Sequence, residues 1–157
     1  MNDLHNIFAR NCSIRRIDRS TASVFLDANH RLGSTGGRYF YGMFVNRTTG
    51  RNEASFDKGT LVAVSSFSNA RNLPYNGILS RRSHEWIRYA SLKGTRVVGG
   101  MSRMLHHFIS EVNPGDVMTY ADPSWPDGGG VYLSLGFHEE APVCRDGFSC
   151  RKFRLVI

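Results

Sequence analysis

The sequence predicts a single α/β domain on a mixed sheet, with a central pair of parallel strands and flanking helices. Three observations carry that expectation. Residues 101–112 place Met101, Met104, Leu105, Phe108, Ile109 and Val112 on one stripe of a 3.6-residue period, which is the pattern of an amphipathic helix. Just before them, residues 84–92 (HEWIRYASL) are rich in aromatic and β-branched side chains and fit a strand. A second short apolar run, residues 118–121 (MTYA), follows the Asn113-Pro114-Gly115 break, so a crossover through the helix makes the two strands parallel neighbours.

The other elements follow in chain order. Residues 13–17 read as a first strand, and residues 21–30 as a helix capped by Ser20, with Val24, Phe25 and Ala28 on one face and an end near Gly33. Residues 38–45 (RYFYGMFV) and 60–67 (TLVAVSSF) are strand candidates. The polar stretch between them carries a Thr49-Gly50 turn signal, so they form an antiparallel hairpin. Residues 69–83, rich in Asn, Pro, Gly and Arg, read as a loop. A short helix precedes Leu135-Gly136-Phe137, and the tail CRKFRLVI supplies a last strand. The resulting order of strands and helices is that of an α/β sheet of mixed direction.

A chain of 157 residues suits one domain spanning 1–157 with a continuous core. No apolar leader, membrane-length stretch or internal repeat is visible, so a soluble cytoplasmic protein is expected. Cys12, Cys144 and Cys150 form neither a paired framework nor a Cys-x-x-Cys site, which suits a reducing compartment. The net charge of +7 calls for acidic partners: nucleic acid, phosphorylated metabolites or an acidic protein. Arginine and lysine cluster at Arg15, Arg16 and Arg19, at Arg81 and Arg82, and at Arg151, Lys152 and Arg154, interleaved with apolar residues as on a surface patch. Trp125 and Tyr75, read as loop residues, add aromatic faces that stack on an exposed base. A solvated basic face serving solubility alone is the other reading.

At the head of the periodic helix, Gly99 and Gly100 permit φ > 0 and close approach to the backbone, while the first helical turn presents N–H groups without intrahelical partners. Such a turn suits a phosphate, and equally it can serve only to turn the chain into a packed helix. RVVGGMSRML from Arg96, then a strand, then VYLSLGF from Val131, resembles the acyl-CoA-binding core of the GNAT acyltransferases. That pattern is Arg/Gln-x-x-Gly-x-Gly/Ala before an apolar helix and a later Tyr-x-x-Leu-Gly-Phe. Arg96 and Gly99 match it; Met101 stands where the family prefers a small residue, and Gly100 supplies the room if the turn is shifted by one. With NHRLG from Asn29, HEWIRYA from His84 and TYADPSW from Thr119, the resemblance narrows to phage GNAT-like proteins: domains attached to homing nucleases and the Mom-type DNA-modifying enzymes. It covers residues 29–137.

The resemblance implies acetyl-CoA or another acyl-CoA-type donor, held by Arg96, Val98, Gly99, Gly100, Met101 and Ser102, with Arg88 neutralising a phosphate. Together with the basic balance, the arginine clusters and the loop aromatics, it favours a DNA or RNA base as acceptor. A small-molecule or protein amine is the alternative, as is a nucleic-acid-binding module without catalysis. Acyl transfer needs a base for the amine, donors for the oxyanion and an acid for the leaving thiolate. Tyr132 matches the family's thiolate-protonating tyrosine, with a reference pKa near 10 that is not far above a thiol's, or else it is a core residue. Asp122 follows the strand 118–121 directly, at the carboxyl end where an α/β ligand crevice forms. The resemblance makes it an active-site aspartate, and starting the turn Asp-Pro-Ser-Trp-Pro is its structural alternative. His30 is a base by the Asn29-His30 match, or a cation closing its helix. Glu85 holds His30, binds the amine or lies on the surface; it and Arg88 fall on opposite faces of a regular strand, and only a bulge brings them together. His106 and His107 lack a third ligand at metal spacing, and no metal is expected.

Overall fold

The computed structural model describes residues 4–47, 56–75, 79–121, 128–145 and 147–157; the Thr49-Gly50 turn, Asp122 and Trp125 lie outside them. The elements run β1 (His5–Phe8), a 3-10 turn (Ala9–Asn11), β2 (Cys12–Arg16), α1 (Arg19–Asn29), β3 (Tyr39–Val45), β4 (Leu61–Phe67), β5 (Arg71–Tyr75), β6 (Leu79–Ser91), β7 (Thr95–Val98), α2 (Gly100–Val112), β8 (Asp116–Ala121), α3 (Gly130–Ser134), β9 (His138–Arg145) and β10 (Phe148–Val156). Two compact units are built from them. The first takes Met1–Phe67 and Arg88–Val112, the second Ser68–Ile87 and Asn113–Ile157, so β6 passes through both.

In the first unit β2, β3 and β4 form an antiparallel meander, with Ile14 opposite Met43 and Tyr41 opposite Ser65. The end of β6 joins β4 through Leu92 N–H to the Val62 carbonyl (2.8 Å) and Ser65 Oγ to the Arg88 carbonyl (3.0 Å). Alternation along β3 sends Phe40 to one face and Tyr39 and Tyr41 to the other. Phe40 lies with Val64 and Ala90 beneath Ala22, Phe25 and Leu26 of α1. On the opposite face Phe108 of α2 stacks on Phe67 at 3.9 Å and meets Tyr39 edge-on at 5.6 Å. The periodic stripe of residues 101–112 is thus the buried face of α2.

Helix α1 departs from the expectation. Its N-cap is Asp18, not Ser20: the Asp18 carboxylate accepts the Thr21 N–H at 2.7 Å, which holds this carboxyl below its usual range. Starting there turns the helix so that Ala22, Phe25 and Leu26 are buried while Val24 is 71% exposed. Residues 5–8 and 95–98 also form a small parallel pair, His5 opposite Thr95 through Phe8 opposite Val98, where the sequence suggested only a glycine loop.

In the second unit β6 and β8 run parallel, as the crossover predicts, with Ser83 opposite Asp116 and Glu85 opposite Met118. Strand β10 pairs antiparallel with β8, and β9 with β10. Residues 69–83 are not the expected loop. Arg71–Tyr75 pairs antiparallel with the start of β6, because main-chain pairing is indifferent to side-chain polarity, and Pro74, opposite Ser80, needs no N–H on a side that no other described strand pairs. Tyr75 therefore ends a strand instead of lying in a loop. Strand β9 has no apolar alternation and owes its existence to β10.

Five of the eight clustered basic residues pair with carboxylates among the described residues. Asp116 is fully buried and accepts from Ser83 Oγ (2.5 Å) and Arg154 Nη1 (2.9 Å), while Arg81 Nε lies 2.6 Å from its other oxygen, an ion pair off the axis of a hydrogen bond. Arg154 also binds Glu140 at 2.9 Å, and Arg151 binds both oxygens of Glu139 at 2.7 Å. Lys152 lies 3.4 Å from Glu140. In the first unit Arg15 lies on the Phe44 ring, Arg16 reaches Glu111, and Arg19 donates to the Gly37 carbonyl. These pairs lower the local positive charge of the clusters while the net charge of +7, which already counts the acids, is unchanged. Cys12, Cys144 and Cys150 are thiols without disulfides, and no helix among the described residues is long and apolar enough to cross a membrane.

Candidate active site

The glycine turn belongs to the first unit. Gly99 has φ +78° and begins the α2 ladder by accepting from Arg103 N–H (3.0 Å), so the N–H groups of the first turn lack helical partners. A Cβ on Gly99 would meet only Ala9 Cβ, at 3.8 Å; glycine is needed there for its φ, not for room. Gly100 is the reverse case. Its added Cβ would lie 2.2 Å from Tyr89 Oη and 3.0 Å from Val97 Cγ1, so this glycine is packed by the protein itself. Tyr89 and Val97 stand where a side chain at residue 100 would lie, so the protein's own packing requires glycine there. Burial, then the neighbouring Cys12, pushes the Tyr89 phenol well above its ordinary pKa. Arg96 and Gly99 are exposed, Val98 is 39% exposed, and Met101 and Ser102 are half-buried. Arg103 does not face the turn, since it donates to the carbonyls of Ala9 and Cys12 and ties the 3-10 turn to α2.

In the same unit the residues after α1 are held to the end of β6. Arg88 Nε donates to the Gly33 carbonyl (3.0 Å), Gly33 N–H donates to the His30 carbonyl (3.0 Å), and Asn29 Oδ1 accepts from Lys93 N–H (2.9 Å). His30 is the C-cap of α1, and its Nδ1 accepts the Leu32 N–H at 3.0 Å. A neutral imidazole accepting at Nδ1 carries its proton on Nε2, so His30 takes a further proton only by breaking that bond.

The second unit holds the other group of predicted residues. The parallel ladder of β6 and β8 stops at Glu85 and Met118, although β8 continues to Ala121. At the next position Thr119, 2% exposed, sends its hydroxyl to the Trp86 carbonyl at 2.9 Å, so a side chain replaces the ladder where the two strands part, with β6 continuing to Ser91. Tyr132 reaches the same place from α3. Its ring packs on Phe153 (5.4 Å), Phe137 (5.7 Å) and Trp86 (6.1 Å), and its hydroxyl is hydrogen-bonded to Thr119. Burial raises the phenol's pKa and the Thr119 bond draws it partly back.

The Tyr-x-x-Leu-Gly-Phe motif explains how the ring is aimed. Gly136, at φ +97°, lets the chain turn back so that Phe137 N–H bonds the Tyr132 carbonyl (3.0 Å) and Gly136 N–H the Leu133 carbonyl (3.1 Å), a Schellman close with Phe137 packed on Tyr132. At the other end Gly129 is required, because a Cβ would meet the Phe153 ring at 2.6 Å. Glu85, half-buried, is bound through its main chain to Ser68, and Asp122 follows β8 outside the described residues. Thr119, Tyr89 and Arg103 were not singled out by sequence reasoning. Only Thr119 left a trace, since the alternation of β8 puts residues 117, 119 and 121 inward.

No family model matches the sequence, and no curated protein does. Solved structures match it closely in shape. Spermidine/spermine N-acetyltransferase from Vibrio cholerae gives a TM-score of 0.64 at 12% identity, covering 94% of this chain and 94% of that one. The ribosomal-protein-S18-alanine N-acetyltransferase of Escherichia coli gives 0.59 at 15%, covering 93% and 94%. A chain of the NatC complex bound to Gag peptide and CoA gives 0.61 at 10%, covering 94% and 99%. The fold is that of the GNAT acetyltransferases. In this fold the glycine turn heads the helix between the two parallel strands, and Tyr132 follows the second of them. The narrower resemblance to phage DNA-modifying proteins has no counterpart among these structures.

Proposed function

We propose that this chain is an N-acyltransferase that moves an acyl group from a CoA-type donor to an amine of a small molecule or a protein. The observation that carries the reading is the position of Tyr132, whose hydroxyl meets Thr119 one residue beyond the last rung of the parallel ladder. An acid standing where parallel strands part is suited to a leaving group bound at their carboxyl ends. The phenol is protonated at neutral pH and so has a proton to give to a departing thiolate, although its burial makes that transfer more uphill than for an exposed tyrosine. The turn Arg96–Ser102, with free helical N–H groups and an exposed arginine, fits the donor's pyrophosphate, and the close packing of Gly100 makes Gly99, Met101 and Ser102 the backbone it meets. Glu85 and Asp122 are the carboxylates available for the amine; His30, with Nδ1 engaged, serves as an anchor of its loop. A DNA-base acceptor is the second reading: the net charge of +7 favours an acidic partner, although Arg16, Arg81, Arg151 and Arg154 of the clusters are paired with Glu111, Asp116, Glu139 and Glu140.

Calorimetry with acetyl-CoA, followed by a thiol-release assay on polyamines, alanine-terminated peptides and single-stranded DNA, tests the reading. Donor binding and turnover on an amine are expected, with Tyr132→Phe lowering kcat roughly a hundred- to ten-thousand-fold at retained donor affinity. No binding at millimolar donor overturns the reading, and turnover on DNA alone restores the nucleic-acid acceptor.

A further inference from the structure

Thr119 has one hydroxyl proton and two neighbours that can use it. In the structure that proton goes to the Trp86 carbonyl at 2.9 Å, while the Tyr132 hydroxyl is the second neighbour, whose anionic form a Thr119 bond favours. A Tyr132 phenolate would need the opposite arrangement, because an anionic oxygen can only accept. The geometry permits the exchange. Thr119 is buried opposite Phe153 in the β8–β10 ladder, so its backbone is fixed, while the Tyr132 ring is held between Phe153 and Trp86. Rotation of the Thr119 side chain would then exchange the two bonds.

We propose that Thr119 is a positioning residue for Tyr132: its hydroxyl gives its proton to the Trp86 carbonyl at rest, and turns to the Tyr132 oxygen once the phenol proton has left. The inference rests on the acyl-transfer reading above. In balanced form, the amine nitrogen bonds to the acyl carbon as the carbon–sulfur bond breaks, and the Tyr132 proton passes to the thiolate. The proton lost by the amine goes to solvent, and solvent returns one to the phenolate. No oxidant or further reactant enters. The Trp86 carbonyl, released for part of the cycle, is the cost of stabilising the phenolate, and its backbone bond to Thr119 re-forms when Tyr132 is reprotonated.

The test uses the full chain and two independent readouts. Ultraviolet difference titration of the phenolate, taken between wild type and Tyr132→Phe, isolates Tyr132 and needs no activity. Thr119→Val, nearly isosteric, should move that titration to higher pH; Thr119→Ser should restore it. In the thiol-release assay Thr119→Val should lower kcat roughly ten- to a hundredfold, the range of a hydrogen bond to a charged group. The donor KM should hold, serine should rescue, and in the Tyr132→Phe background Thr119→Val should have no further effect on kcat. An unmoved titration, an equal loss in both backgrounds, or a loss that serine fails to rescue overturns the proposal and leaves Thr119 a structural residue. If wild type turns over no amine while the titration still depends on Thr119, the acyl-transfer reading itself has failed, and the catalytic role assigned to Thr119 falls with it.

Discussion

Gly100→Ala tests how the donor turn is built. The new methyl would sit 2.2 Å from Tyr89 Oη, more than an ångström inside ordinary van der Waals contact, and 3.0 Å from Val97 Cγ1. Tyr89 has little freedom to withdraw, since its neighbour Arg88 is bound to the Gly33 carbonyl and to Ser65, and Ala90 is packed under α1. Overpacking of this kind costs about 1–3 kcal/mol. Against it stands the ordinary gain of replacing glycine in a helix, about 0.5–1 kcal/mol, because φ at Gly100 is not positive and alanine is allowed there. The net expectation is a loss of about 0.5–2 kcal/mol, or a Tm lower by roughly 1–8 °C at this chain length. Tyr89→Phe removes the nearest atom and leaves only the milder Val97 contact. The two changes should therefore couple by about 1 kcal/mol, the double variant standing above the sum of the singles. Thermal denaturation of wild type, both singles and the double variant measures this. Strict additivity, within about 0.5 kcal/mol, or a Gly100→Ala variant more stable than wild type, would falsify the packing account and reopen Gly100 as ligand space.

Two further outcomes concern the second unit. Asp116→Asn leaves Arg154 and Arg81 beside a neutral amide in a site where Asp116 is fully buried, and urea denaturation should show a loss of about 3–5 kcal/mol, with a loss under about 1 kcal/mol refuting the network's importance. Burial opposes ionisation of Glu140, but Arg154 and Lys152 outweigh it and hold the carboxyl below its usual 4.5. Its stabilising contribution is therefore whole above that pH and is lost as pH falls through the lowered value, so Glu140→Gln should flatten the acid limb of a stability-versus-pH curve, and an unchanged limb would count against the pair.

Much of the architecture was legible in local pattern. The 3.6-residue stripe of residues 101–112 became the buried face of α2, and the two short apolar runs on either side of the crossover became the parallel pair β6 and β8. These signals survive because period and punctuation are properties of contiguous residues. Tyr-x-x-Leu-Gly-Phe was legible too, since a left-handed glycine, a returning N–H and a packed phenylalanine are all contained in six residues. Asp18 was missed in favour of Ser20 because both are good caps and only the start of the buried face decides between them.

What the tertiary structure alone decided depends on partners distant in the chain. Strands β5 and β9 are polar sequences made into strands by the hydrogen-bonding edge each meets, and the short β7 exists because residues 5–8 lie beside it. The fate of the basic clusters changed for the same reason, because the carboxylates of Asp116, Glu139 and Glu140 reach Arg81, Arg151 and Arg154 only once β8, β9 and β10 are paired. That packing requires glycine at residue 100 is visible only with Tyr89 and Val97 beside it, and Thr119 looked like an ordinary strand residue until the ladder was found to end one position before it. By itself the sequence determined which segments are helical, where the chain turns and which motif residues are present. Which faces those residues share, and which charges are already matched, followed from main-chain pairing and side-chain packing between residues far apart in the chain.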